Sequence, residues 1–356
     1  MKQTSLLDGV IQNGQISSVQ MLRGLACLAV FFVHFFSEKN ELPANNPLVI
    51  ASNYGYLGVH VFFVISGFII PYSMYQNAYK IQHFMQLWGR RMVRIELPYV
   101  VSIALVVILK YVGNWLYQRG QPLELDWNTV LLNIGYLNVF FGKEFVNHAY
   151  WTLFVELQFY LYIGLVFPLL IHKNILVRNF SYVPFLALNY FWVGGLLLHS
   201  NLPIFILGIF AFQFCVGVIK QTEMLVSMII CVLLTLYWQH QVLHLPEAYP
   251  IMYASIFAVI FIFAARFKSK VLNFLGKISF SMYLIHVPVS VFIIPLFINH
   301  IHNPTYLIIY RFLVLGVVIG ASYLFYLLVE KPAIILSKKF KMRSKEVSHN
   351  VDKITT

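Results

Sequence analysis

Residues 21–36 read MLRGLACLAVFFVHFF, a stretch apolar enough to lie in lipid that still holds two ionisable side chains, Arg23 and His34. The two are eleven positions apart, so at about 100° per residue they fall within roughly 20° of the same face of an α-helix, separated by roughly 16 Å along its axis. Ionisable groups inside a membrane are costly unless they face a partner or a polar cavity. The stretch therefore favours a membrane helix that lines a polar site. The alternative is an arginine that snorkels to the interface and a histidine satisfied by a backbone carbonyl.

The composition of the whole chain is that of an integral membrane protein, since 60% of its 356 residues are hydrophobic and only 11% are charged. A soluble protein of this length would expose too much apolar surface. No cleavable signal peptide is expected, because residues 1–18 are polar and no small-residue cleavage pattern follows the first apolar run.

Crossing a bilayer takes about 20 apolar residues per helix, and the repeated apolar runs predict an all-α, polytopic membrane bundle of about ten transmembrane helices. The predicted spans are 19–37, 56–75, 96–113, 149–171, 182–199, 203–219, 224–241, 248–266, 279–299 and 306–329. The shorter apolar stretch 127–141 is predicted to be re-entrant or interfacial, with an eleventh span as the alternative.

The distribution of lysine and arginine predicts that both termini are cytoplasmic. With that orientation, 19 of the 25 basic residues lie in inner segments and five in outer ones, and Arg23 lies in the first span. The net charge of +12 is then mostly an orientation signal, which weakens an interpretation as a nucleic-acid-binding protein.

Three regions follow from this topology: a cytoplasmic N-terminal segment (1–18), a transmembrane domain (19–332) and a basic cytoplasmic tail (333–356). The tail is expected to lie on an anionic membrane surface. The histidines of the outer loops lack the spacing of a zinc site, so no metal is expected. Packing is favoured over disulfide or metal-ligand roles for the three cysteines, Cys27, Cys215 and Cys231.

The fourth predicted span, AYWTLFVELQFYLY, holds Glu156, the only acidic residue that these spans place in the middle of a membrane segment. Glu156 is expected on the order of 10 Å from the outer end, near the depth of His34. A carboxylate there can fix the tautomer of the imidazole and raise its basicity, or it can form a structural ion pair with Arg23. A polar active cavity is the favoured interpretation.

The second span contains LGVHVFFVISGFII, in which Ser66 and Gly67 interrupt a run of aromatic and β-branched residues. A glycine at this point would let another backbone or a ligand approach closely. Helix packing is the more common use of small residues in membrane helices.

A cluster of arginines lies between the second and third spans, in WGRRMVRIELPY (residues 88–99). If this stretch is helical, Arg91 and Arg94 are neighbours one turn apart. Paired guanidinium groups suit phosphate, because their planar donors can bind two oxygens at once. Binding of anionic lipid is the alternative.

The ninth span adds Tyr283 and His286, which are three positions apart and share a helix face. They are candidates to line the path of an acceptor substrate. Hydrogen bonding between helices is an equally weighted alternative.

Five motifs occur in order along the chain: an Arg-Gly pair followed ten residues later by histidine (Arg23, Gly24, His34), FFVISGF (62–68), an arginine and proline motif (Arg91, Arg94, Ile95, Pro98, Tyr99), WTLFVELQFY (151–160) and LGKISFSMYLIH (275–286). Each motif alone is weak. Together they resemble the membrane acyltransferase-3 family of bacterial envelope O-acyltransferases. Thr152 stands where this family often has serine, and it keeps the hydroxyl.

The resemblance implies transfer of an acyl group, most often acetyl, from cytoplasmic acyl-CoA to a hydroxyl of a cell-envelope glycan or lipid-linked saccharide, in a bacterial inner (plasma) membrane. It also implies a set of essential motif residues: Arg23, His34, Arg91, Arg94 and Glu156. Some family members continue into an extracytoplasmic SGNH-type hydrolase domain. Because this sequence ends in a short basic tail, any second transfer step is expected to need a separate protein.

Physical roles for the donor side follow as hypotheses. Arg91 and Arg94 are expected to bind the phosphates of CoA, with Ser66 as a further donor-binding residue. Arg23 is expected to guide the pantetheine arm or to stabilise the carbonyl oxygen as charge develops on it.

On the acceptor side, His34 is expected to remove the proton of the acceptor hydroxyl or to carry the acyl group transiently, with Glu156 orienting it. Direct transfer and an acyl-histidine intermediate are both compatible with the sequence. Trp151, Tyr283 and His286 are the candidates for binding the acceptor.

The chief alternative is a transporter or flippase of an envelope intermediate, in which the intramembrane Arg, His and Glu would form a proton relay or substrate path. Such a protein is expected to show related halves with broken helices, a pattern not found in this sequence. A receptor or scaffold without catalysis would not explain why the intramembrane Arg, His and Glu occur together with the cytoplasmic arginines.

Overall fold

The computed structural model describes residues 11–12, 15–37, 42–117, 125–182, 198–242, 244–301 and 303–340. The helices of this part are α1 (Ser17–Phe32), α2 (Pro47–Ser52), α3 (Leu57–Gln76), α4 (Phe84–Arg91), α5 (Leu97–Tyr117), α6 (Trp127–Asn133), α7 (Trp151–Leu170), α8 (Ile175–Phe180), α9 (Leu198–Cys215), α10 (Gln221–Leu236), α11 (Ala248–Ala264), α12 (Lys270–Ile293), α13 (Pro304–Phe325) and α14 (Lys331–Ser337). Two short strands, β1 (Ile11–Gln12) and β2 (Gln15–Ile16), pair antiparallel before α1. Apart from this two-residue ladder, the predicted all-α class is confirmed for the described part of the chain.

Short turns of other helical types connect or extend these helices. The π-helical turns of the described residues are π1 (Val33–Ser37), π2 (Met92–Glu96), π3 (Tyr237–Val242) and π4 (Tyr326–Glu330). The 3₁₀ turns are Ile81–His83, Leu137–Val139, His148–Tyr150, Ile294–Leu296 and Ile298–His300. A π turn bonds each residue to the fifth one along rather than the fourth, so it changes the direction of the side chains that follow it.

Seven helical segments of the described residues are long and apolar enough to cross a membrane: Ser17–Phe36, Pro47–Gln76, Ile81–Tyr117, His148–Leu170, Gln221–His240, Lys270–Leu296 and Pro304–Ser337. Two shorter apolar helices, Ser200–Cys215 and Ala248–Ala264, lie on two further predicted spans. The remaining predicted span, 182–199, lies mostly outside the described residues. A polytopic helical membrane protein is thus supported, while ten spans and cytoplasmic termini stay predictions.

The third predicted span lies inside a longer helical segment. Its predicted bounds were 96–113, whereas the helical segment runs over Ile81–Tyr117 and includes the arginine cluster. Arg91 can lie inside it because its charge is paired with that of Glu96, and both side chains are buried. A charge pattern that predicts a loop is therefore compatible with a helix when the charges pair.

The stretch 127–141 does not cross the membrane. It contains α6, whose seven residues extend about 10 Å at 1.5 Å per residue, well short of the hydrocarbon core of about 30 Å. Asp126 caps α6 by accepting from the Asn128 amide at 3.0 Å, and Tyr136 then adopts a left-handed conformation with φ of 64°. The alternative of an eleventh span is wrong.

The predicted boundary of the basic tail at residue 333 lies inside α14. This helix buries Ala333 and Ser337 against the rest of the protein. Residues 341–356, which hold the rest of the predicted tail, lie outside the described residues, as do residues 1–10.

Helices α3 and α9 touch through a pair of glycines. A Cβ atom on Gly67 would lie 2.1 Å from the carbonyl oxygen of Phe205, and one on Gly208 would lie 2.2 Å from that of Val64. Any larger side chain would force the two backbones apart, which is the use of small residues expected between membrane helices. The prediction that Gly67 admits the close approach of another backbone is confirmed.

Helix α1 lies antiparallel to α3, because Gly58 faces the carbonyl of Ala26 and Gly55 faces that of Ala29. Helix α12 runs parallel to α1. The start of α1, the end of α3 and the start of α12 therefore meet on one side of the bundle. We call this side the Asn77 end, after the residue that caps α3 there.

Candidate active site

A cavity of about 470 Å³ lies between α1, α3, α7 and α12, and residues of π2 and π4 contribute to its lining. The lining along α3 begins at Val59 and ends at the cap residue Asn77, eighteen positions further on, which is about 27 Å at 1.5 Å per residue. The hydrocarbon core of a bilayer is about 30 Å thick. The cavity therefore follows nearly the full length of a spanning helix.

The charged lining of the cavity is predominantly basic. Its charged side chains among the described residues are Arg23, Arg90, Arg91, Arg94, Glu156 and Glu330. Four cations and two carboxylates give a formal net charge of +2. The charges of Arg94, Glu330 and Glu156 act on the guanidinium of Arg23. A basic, enclosed surface of this kind attracts an anionic ligand.

The two arginines predicted to bind phosphate have different surroundings. Arg94, in π2, is exposed and lines the cavity. Arg91 is only 2% exposed, and its guanidinium is paired with the carboxylate of Glu96. It lies 5.2 Å from the ring centroid of Tyr160 and 5.9 Å from that of Trp88. Arg91 thus belongs to the wall, while Arg94 presents its charge to the interior.

Arg23, Ser66 and Glu156 are brought together in the cavity. The Ser66 hydroxyl donates to Oε1 of Glu156 at 3.2 Å. Ser66 is near the middle of the α3 stretch that lines the cavity, and Glu156 comes from α7. Three residues predicted from separate motifs therefore share one polar site.

Tyr283 and Trp151, two of the residues predicted to bind the acceptor, lie at or next to the cavity. Its hydroxyl donates to the carbonyl of Ala149 at 2.7 Å and lies 2.5 Å from the hydroxyl of Thr152, and both Tyr283 and Thr152 line the cavity. The ring of Trp151 lies 6.3 Å from that of Phe63, a lining residue. Trp151 thus supports the cavity wall from behind Phe63.

His34 lies beside His286, with 5.2 Å between the ring centroids. Nδ1 of His286 is 2.8 Å from the carbonyl oxygen of Tyr283 and 3.0 Å from that of Met282, so the proton on Nδ1 points to these carbonyls. The rings of His286 and Tyr283 are 5.9 Å apart. This places the histidine pair next to the tyrosine that lines the cavity.

The prediction that Glu156 orients His34 stays a prediction. Arg23 and Glu156 are among the described residues that line the cavity, and His34 is not. The spacing argument assumed a regular α-helix, but His34 lies in π1, beyond the last residue of α1. The ring of His34 lies beside that of His286 from α12.

Glu330 was missed by the sequence-based prediction, which ended the last span at residue 329. The carboxylate accepts from the backbone amide of Ser281 at 3.1 Å and from its hydroxyl at 2.5 Å, and Glu330 lines the cavity. Glu330 and Glu96 are both buried inside segments long enough to span. The structure thus adds two buried carboxylates, besides Glu156, to the helical segments that hold predicted spans. The sequence signal that could have identified Glu330 is its position as a single carboxylate directly after a long apolar run.

Comparison with known proteins identifies the class to which this fold and site belong. A family model described as an acyltransferase domain matches residues 16–327. The chain therefore belongs to the acyltransferase-3 family, and the predicted family and enzyme class, an acyltransferase, are confirmed.

The chain is similar to curated relatives named O-acetyltransferase OatA, among them those of Staphylococcus aureus strains NCTC 8325 / PS 47, COL and MRSA252. Each is 27% identical over 330 residues, which cover 81% of this chain and 53% of the relative. The chain thus spans about half the length of the curated relatives it matches. No solved structure matches the chain.

Proposed function

We propose that this chain is a membrane O-acyltransferase that moves an acyl group, acetyl by default, from cytoplasmic acyl-CoA to a hydroxyl of a cell-envelope glycan or lipid-linked saccharide. The observation that carries the proposal is the basic cavity, which extends about 27 Å along α3 and is lined by Tyr283, whose ring lies 5.9 Å from that of His286. Family membership and the relatives named O-acetyltransferase support it. The proposed location is a bacterial plasma membrane, with the Asn77 end of the bundle and both termini in the cytoplasm.

The donor would enter at the Asn77 end, where the arginines gather. Arg94 and Arg90 would bind the phosphates of CoA, since guanidinium groups bind phosphate oxygens bidentately. Arg91 would add its charge from within the wall. The thioester would then extend past Ser66 towards Tyr283, where the lining is largely apolar and excludes water that would hydrolyse it.

The chemistry would take place between Arg23 and the histidine pair. The acceptor hydroxyl oxygen attacks the thioester carbonyl carbon while His34 takes the hydroxyl proton, and that proton leaves with the thiol of CoA. In a two-step version His34 carries the acyl group first. Arg23, roughly 16 Å from His34 along the helix axis, guides the pantetheine arm of the donor towards that site, and Glu156 balances the charge of Arg23.

The acceptor would approach the histidine pair from the end of the cavity opposite to Asn77. His286 holds His34 in place, because its own Nδ1 proton is committed to backbone carbonyls. Tyr283 and Trp151 would shape the acceptor site. Glu156 does not need to touch His34 in this arrangement.

A transporter or flippase is the second candidate, because a cavity as long as a membrane span is also what a translocation path requires. The two functions differ in their chemistry. A transporter moves its cargo intact, whereas an acyltransferase splits the donor.

The proposal is tested by measuring ester-linked acyl groups on envelope glycans of cells that express the protein. Wild type should add O-acyl ester, and His34→Ala should remove that gain at equal protein level. His148→Ala, which changes an exposed histidine at the start of the fourth spanning segment, is the matched control and should behave as wild type. An unchanged ester content in His34→Ala, or no gain with wild type, would contradict the proposal.

A further inference from the structure

Arg91 and Glu96 form an ion pair across the π turn that carries Arg94. The two residues are five positions apart: Arg91 directly precedes π2 (Met92–Glu96), and Glu96 is its last residue. In a regular α-helix, residues five apart point about 140° away from each other, whereas the π-helix has the i to i+5 repeat that brings them together. The ion pair and the π turn are therefore one structural feature.

Glu96 has a second partner outside its own helix. The hydroxyl of Tyr136 donates to Oε1 of Glu96 at 3.2 Å. The ring of Tyr136 stacks on that of Tyr99 with 4.8 Å between centroids, and the Tyr99 hydroxyl donates to the carbonyl of Asn133 at 2.8 Å. Tyr136 is fully buried with φ of 64°, a conformation that a non-glycine residue keeps only when its surroundings hold it. The non-spanning stretch 127–141 is thus fastened to π2.

Loss of the Glu96 charge would remove the paired counter-ion of the buried Arg91 guanidinium. The Arg91 side chain has no exposed surface, and its Nε and Nη2 atoms have no hydrogen-bond partner among the described residues. A buried cation that loses its counter-ion is strongly unfavourable, so Arg91 would have to leave its position. If π2 then relaxed to an α-helical turn, the residues after the turn would rotate by about 100° relative to the preceding helix, and Arg94, in the middle of the turn, by about half of that.

We propose that Glu96 is a positioning residue: together with Tyr136 it holds the π turn that directs Arg94 into the cavity. The short segment around α6 thereby forms part of the anion-binding site without touching the ligand. The identification of that anion as acyl-CoA rests on the proposed function, whereas the positioning of Arg94 does not.

The test is a thiol-accessibility measurement at position 94. Arg94→Cys is introduced into a protein in which Cys27, Cys215 and Cys231 are replaced by alanine, and its reaction with a small cationic methanethiosulfonate reagent is timed. Adding Glu96→Gln should slow the reaction by about tenfold, because a side chain turned into the wall loses its exposed surface. Tyr136→Phe, which removes only the hydroxyl, should slow it less.

Glu144→Gln is the matched control, since Glu144 is an exposed carboxylate on the same segment and should leave the rate unchanged. Thermal stability and elution volume in detergent are measured for each variant, so that misfolding is distinguished from a change in the direction of residue 94. Equal labelling rates of the Arg94→Cys protein with and without Glu96→Gln, in folded protein, would overturn the proposal.

A second measurement separates this inference from the proposed function. Binding of CoA is measured on proteins that keep Arg94, and Glu96→Gln should raise the Kd about tenfold, the change that corresponds to about 1.4 kcal/mol. Absence of CoA binding to wild type would count against the proposed donor. The labelling rates would still decide whether Glu96 positions Arg94.

Discussion

The imidazole rings of His34 and His286 lie side by side, 5.2 Å apart between centroids, at the junction of π1 and α12. The Nδ1 proton of His286 is directed to the backbone carbonyls of its own helix. This fixes the orientation of the His286 ring, so the face it offers to His34 is constant. His34 thus has a ring of fixed orientation as its neighbour, which is compatible with the proposed role of His34 in proton transfer.

Substitution of His286 should impair catalysis more than binding. His286→Asn keeps a donor for the backbone carbonyls but removes the second ring nitrogen, so we expect kcat to fall by about a hundredfold, the size of a lost general acid-base contribution, with little change in the KM for the donor. Steady-state acyl transfer in membranes measures both. His300→Ala, an exposed histidine after α12, serves as the control. Retention of full kcat in His286→Asn would show that His34 needs no such support.

Arg94 should act on the donor rather than on the chemistry. Arg94→Gln removes a charged hydrogen-bond donor worth about 1.5–3 kcal/mol, which corresponds to a rise in the KM for acyl-CoA of about 10- to 100-fold. Salt should weaken donor binding in wild type and have less effect in the variant. Lys143→Gln removes an exposed cation that pairs with Asp126 away from the cavity and should leave the KM unchanged. A KM unaffected by loss of Arg94 would remove it from the donor site.

The glycine contact between α3 and α9 should be sensitive to a single added methyl group. In Gly67→Ala the new Cβ would lie 2.1 Å from the carbonyl oxygen of Phe205, and overpacking of this kind costs about 1–3 kcal/mol. The expected result is a lower Tm of the detergent-solubilised protein. Gly316→Ala is the control, because its added Cβ meets nothing within 4 Å among the described residues. Equal Tm values for the two variants would show that the contact is not tight.

The cap of α6 should survive mild acid. Hydrogen bonds from the Thr129 hydroxyl, Lys143 and the Thr129 amide lower the pKa of Asp126 to about 2. A carboxyl with a lowered pKa stabilises the fold above its ordinary pKa, near 3.8, and this stabilisation is lost as the pH falls through about 2. The carboxyl resonances of ¹³C-labelled aspartate report the titration, with Asp126→Asn for assignment. Lys143→Ala should move the midpoint upwards, and a midpoint near 3.8 in wild type would contradict the hydrogen-bonded cap.

Much of the site could be predicted from the sequence, because several of its residues lie in regular α-helices: Arg23, Ser66, Glu156 and Tyr283. Arg23, Ser66 and Glu156 were expected to face a polar cavity, and they do. Tyr283 was expected near an acceptor path, and it lines the same cavity. These predictions needed only the helical period and the high energy of charges in lipid.

The remaining features of the site depend on π turns and on contacts between segments that are distant in the sequence. Helical periodicity in one sequence does not predict either of these. His34 lies in π1, and its neighbour His286 comes from α12, a pairing that the spacing within the first span could not show. Glu330 lies in π4, one residue beyond the predicted end of the last span. Arg91 was assigned to phosphate because the sequence does not show that Glu96 and Tyr136 converge on the same turn.

The most direct test of the acyltransferase assignment uses purified protein in sealed vesicles and acetyl-CoA labelled differently in its acetyl and CoA parts. Acetyl-CoA is supplied on the side of the Asn77 end, and envelope glycan is supplied on the other side. We expect acetyl label in the glycan, CoA label retained on the donor side, and a loss of about a hundredfold in His34→Ala. Both labels on the glycan side in equal amounts, or transfer that is unchanged in His34→Ala, would contradict the assignment and favour transport of an intact substrate.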